Sequence, residues 1–127
     1  MTQEDKQLLL VDLCSRLPYK VKVEAVPYVD PQILCSIDPI RKEFRLDFGE
    51  YRNIFATNWV GEEYSIVKPY LRPMSNMTEE ERKKAVELNF TDLVGYIDYL
   101  NSHHFDYRDL IPMGLALEAQ EDMYKTD

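Results

Sequence analysis

The sequence predicts an α+β domain: an N-terminal helix, about five short antiparallel strands in a curled sheet or small barrel, and C-terminal helices packed on one side. Three observations carry this. Apolar residues recur at helical spacing before Pro18, alternate with polar ones between Tyr19 and Val67, and return to helical spacing after Thr78. A length of 127 residues suits one domain with a self-sufficient core. On this reading residues 1–67 are helix plus sheet, 68–77 a Pro-rich connection, 78–119 the helical part, and 120–127 an acidic tail expected to be mobile.

Thr2 suits an N-cap, with Glu4 and Asp5 in the first turn where the helix dipole favours negative charge. Leu9, Leu10, Leu13, Cys14 and Leu17 then share one helical face until Pro18 stops it. Tyr19, Val21, Val23 and Ala25 alternate with Lys20, Lys22 and Glu24, a strand with one wet face. After Pro27, Asp30 and Pro31, residues 33–37 read as a second, more buried strand, broken by Asp38-Pro39. Phe44, Leu46 and Phe48 mark a third strand, residues 54–59 a fourth and residues 64–67 a short fifth. Pro69 and Pro73 lack an amide hydrogen and fix their own φ, so residues 68–74 should be extended and follow the surface.

Thr78 and Glu81 form a capping box, which starts a helix at Glu79 that runs to Leu88 with few apolar anchors (Ala85, Val86, Leu88). A further helix begins near Thr91 as N-cap, with Phe90, Leu93, Val94, Ile97 and Leu100 on one stripe, and frays at 101–104. Residues 110–119 are ambiguous. Asp109 could cap a helix there, or Gly114 could close one begun at Asp106.

Charge and cysteine usage narrow the function classes. Residues 1–75 hold 10 Lys/Arg against 11 Asp/Glu, a net of −1, and residues 76–127 hold 5 against 12, a net of −7. An acidic second half repels phosphate backbones, which argues against direct nucleic-acid binding. Cys14 and Cys35 each sit in an apolar run, match no CxxC or zinc spacing, and read as small buried hydrophobes in a reducing compartment. The acidic start lacks the basic region of a secretory signal, and the longest aliphatic run is residues 8–11, so a cytoplasmic protein without membrane association is expected.

The residue types of catalysis gather in one place, residues 103–109. His103, His104, Asp106 and Asp109 could bind a metal or move protons. Their spacing opposes it, because adjacent histidines on a helix diverge by about 100° and no HxxxH, HExxH or CxxC accompanies them. A polar helix end is the preferred reading, with no metal and no cofactor expected. Gly49, Gly61, Gly95 and Gly114 stand singly, so no phosphate-cradling pattern is present. The aromatic supply is generous, with nine tyrosines, and Tyr64, Tyr70, Tyr96, Tyr99 and Tyr107 are candidates for a recognition surface because tyrosine joins contact area to a polar tip. The competing reading places them in the seam between sheet and helices.

The stretches 1–10 with 12–19, 66–74 with 77–81, and 101–108 with 114–119 together resemble a family of small uncharacterised proteins of gut-dwelling bacteria and of their prophages or other mobile elements. The resemblance covers both ends and the residues 66–81, leaves 24–63 aside, and implies no activity and no functional residue. The sequence therefore ranks an interaction or regulatory module with a protein partner first, a small metal-dependent enzyme using residues 103–109 second, and an acidic nucleic-acid mimic third.

Overall fold

A computed structural model describes residues 2–25, 30–47, 51–53, 55–57, 63–65 and 67–124, with the backbone alone for 51–53, 55–57 and 63–65. The fold is α+β. Its contacts divide the chain into two compact units, Met1–Tyr70 and Leu71–Asp127. Among the described residues ladder pairing links seven strands in an open, mixed sheet, six in the order β4 (Tyr51–Asn53), β3 (Glu43–Leu46), β2 (Gln32–Asp38), β1 (Lys22–Ala25), β7 (Val67–Pro73) and β8 (Phe105–Asp106), with the seventh paired to β7. Among the described residues the sheet does not close into a barrel.

In the first unit, helix α1 spans Gln3–Arg16 and opens with a full capping box: the Thr2 hydroxyl accepts from the Asp5 amide and the Asp5 carboxylate accepts from the Thr2 amide. Leu9, Leu10 and Leu13 are buried, whereas Cys14 is half-buried. Pro18 does not halt the chain at once. Residues Leu17–Tyr19 form a 3-10 turn with proline in its first positions, where no donor is missed, and Lys20 at φ 58° ends it. The alternation of β1 then buries Val23 and Ala25, with Val21 buried just before it. Arg16 and Asp12 form a wholly buried ion pair on α1, with Nε–Oδ2 at 2.9 Å and Nη2–Oδ1 at 3.1 Å. The i,i+4 spacing of these opposite charges was a signal in the sequence that the apolar stripe overshadowed, whereas their complete burial was not.

Strand β2 corrects the expectation of a second, more buried strand. Only Leu34 is buried, and Cys35 is exposed. The register explains it: Leu34 faces Leu46 while Ser36 faces Arg45, so Cys35 is the extra residue of a bulge and is turned out of the ladder. Phe44 and Leu46 of β3 are buried as expected; Phe48 lies outside the described residues. Strand β4, at 51–53, precedes the expected fourth strand at 54–59, of which residues 55–57 are observed as β5 (Phe55–Thr57); β5 pairs antiparallel with β6 (Glu63–Ser65) as a separate two-stranded sheet. Trp59 lies outside the described residues.

The Pro-rich connection is corrected too. Residues 67–73 are extended, but as a strand of the sheet, with Val67, Pro69 and Leu71 buried at period two. Val23 pairs with Pro69 antiparallel, and β7 meets its other ladder partners only from Leu71 onward. Among the described residues Pro69 thus has a strand neighbour on one side alone, a position where a residue without an N–H is tolerated. The apolar alternation outweighs the prolines.

In the second unit, α2 (Glu79–Thr91) and α3 (Leu93–Ser102) follow the strand. Asp92, not Thr91, caps α3: its carboxylate accepts from the Gly95 amide at 2.9 Å, while the Thr91 hydroxyl bonds back to the Glu87 carbonyl inside α2. Gly95 fits this cap, because a Cβ there would meet Asp92 Oδ2 at 2.5 Å. Residues 103–119 are not helical. Strand β8 runs parallel to the end of β7, pairing Phe105 with Arg72; a turn follows at 110–114; and β9 (Leu117–Glu118) pairs with β7. Gly114 at φ 77° closes that turn, as the Gly114 and Leu115 amides return to the carbonyls of Ile111 and Leu110. Phe105, Leu110, Leu115, Ala116 and Ala119 are buried here with Leu71, Ala85 and Leu100. In the expected mobile tail, Tyr124 stacks on His104 at 3.8 Å between centroids; residues 125–127 lie outside the description.

Candidate functional site

Strand alternation sends Leu71 inward and leaves Arg72 half-buried in the second unit. The Arg72 amide donates to the His104 carbonyl at 2.7 Å, and its guanidinium lies 4.2 Å above the centre of the Phe105 ring. From there it forks onto Glu81, with Nη1–Oε2 at 2.8 Å and Nη2–Oε1 at 2.7 Å. Glu81 is already held by the capping box, where its Oε1 accepts the Thr78 amide at 2.9 Å. The carboxylate therefore serves the helix start and the strand together. The Arg72 hydrogen bonds, then the Thr78 amide and the nearby positive charge, outweigh partial burial and hold its pKa at about 2.

A cleft of about 280 Å³ lies between this pair, His103 and the turn that carries Gln120, Glu121 and Tyr124. Its two inner charges satisfy each other. A carboxylate or phosphate ligand would compete with Glu81 for Arg72, and an organic cation would meet Arg72. The arrangement secures β7 to α2 and leaves little chemistry free in the cleft.

The candidate residues within 103–109 have separate surroundings. His103 ends α3, half-buried, with its ring 4.2 Å from that of Tyr99 and its Nδ1 3.1 Å from the Tyr99 carbonyl and 3.0 Å from Ser102 Oγ. The Ser102 hydroxyl donates to the Tyr99 carbonyl at 2.9 Å, so its proton is not directed at the imidazole as in an activated nucleophile. His104 is buried at φ 62°, stacked on Tyr124. Asp106 is buried, and both its oxygens are occupied by the amides of Leu110 and Ile111, each at 2.9 Å. Asp109 is exposed at φ 59°. Among the described residues no group of three or more His, Cys, Asp and Glu side chains is arranged to hold a metal ion.

The five tyrosines serve different places. Tyr70, in the first unit, is half-buried, and burial followed by the Glu24 charge raises its pKa. Tyr99, in the second, is raised by burial and then by Glu81, against the opposing pull of Arg72. Tyr107 donates to Asn101 Oδ1 at 2.8 Å and accepts from Arg108 at 3.1 Å. Only the backbone of Tyr64 is described, in β6. Tyr96 lines a shallow groove of about 140 Å³ with Met74, Met77, Arg82, Ala85, Val86 and Asn89.

That groove borders what the sequence reading missed. Phe90, Leu93, Val94 and Ile97 were expected to cover the core, yet they are 84%, 64%, 74% and 36% exposed, with Val86 at 50%. Of the expected stripe only Leu100 is buried. Amphipathic spacing announces that a face is to be covered but not by what, and intramolecular cover reaches only the last turn of α3. For Arg72 the available signal was half of the pair, the Glu81 carboxylate.

Comparison with protein-family models, with curated proteins and with solved structures finds no match.

Proposed function

We infer that the protein is a small cytosolic recognition or regulatory module that works by binding another protein, and that its contact surface is the apolar face of α2 and α3. Its resemblance at both ends and at residues 66–81 assigns such a module to a bacterium or a mobile element. The observation that supports the binding role is the exposure of Val86, Phe90, Leu93, Val94 and Ile97 over consecutive turns. Covering a Val, Leu or Phe side chain is worth about 1.5–3 kcal/mol. Large apolar side chains left exposed this close together in the chain point to a contact site. In the cleft at Arg72 the two inner charges are already paired with each other.

The test is a Phe90→Ser, Val94→Ser double variant beside a Lys84→Ser control, each used to capture proteins from cells that make the native chain. A protein retained by wild type and control, and lost with the double variant, is the expected result. Equal retention by all three would overturn the assignment of the face.

A further inference from the structure

We draw no further inference here: the strongest candidate, the apolar groove that Met74, Met77, Val86 and Tyr96 line beside the exposed face of α2 and α3, belongs to the contact surface already described, and with Arg82, Lys83 and Lys84 offsetting Glu87, Asp92 and Asp98 along that face nothing in the structure shows what covers it.

Discussion

Glu81 receives three hydrogen bonds on one carboxylate, and this decides how the protein answers acid. Its folded pKa of about 2 lies below its ordinary 4.5, so between those values the unfolded chain binds more protons than the folded one. The contribution of Glu81 to stability is thus complete above about pH 4.5 and is lost as pH falls toward 2. Glu81→Gln should cost about 1–3 kcal/mol at neutral pH, since it strips the Arg72 guanidinium of its partner. Denaturant melts across that window should show the gap between variant and wild type narrowing with acidity. A constant gap would refute the assignment. The cysteines provide the second prediction at this scale. Cys35, exposed on its bulge, should react with a thiol reagent within the native state, whereas Cys14, half-buried and raised in pKa by that burial, should lag behind it. Equal rates would contradict the bulge in β2.

At the scale of elements, termini are set by side chains that are legible in sequence, and packing is set by partners that are not. The N-cap at Thr2 and the capping box of Thr78 with Glu81 follow from residue spacing alone, whereas the return bond from Asp5 to Thr2 is seen only in the structure. Thr78→Ala should lower stability by about 1 kcal/mol, read from chemical denaturation, the usual loss for one cap. Because Glu81 keeps its Arg72 bonds in that variant, the loss should be smaller than for Glu81→Gln. The reverse order would mean that the cap, not the ion pair, secures the start of α2. After Ser102 the turn at 110–114 takes the place of a helix, because the Asp106 carboxylate occupies the amides of Leu110 and Ile111 and Gly114 adopts a left-handed backbone.

For the molecule as a whole, the contrast between Leu100 and Phe90 is instructive. Both lie on the stripe that sequence spacing assigns to the core, yet Leu100 is buried and Phe90 is 84% exposed. Phe90→Ser should therefore leave stability within about 0.5 kcal/mol in thermal or chemical melts, as for an ordinary surface change. A large loss would place Phe90 inside a folded contact and remove the basis of the proposed binding face.

The sequence by itself determined what depends on near neighbours along the chain: the α+β class, the caps at Thr2 and Thr78, the alternation that buries Val23, Phe44 and Leu46, and the stop near Ser102. Each is a relation over a few residues, governed by steric and hydrogen-bonding rules with short reach. Only tertiary structure decided the rest. Whether Pro69 lies in a strand depends on Val23, far away in the chain; Cys35 is exposed because β3 faces Leu34 and Ser36 on either side of it; and Arg72 finds Glu81 only when β7 and α2 are both in place. The same cause left Phe90, Leu93 and Val94 uncovered. A pattern encodes which side of an element shuns water, while the identity of what covers it is a property of distant residues or of another molecule.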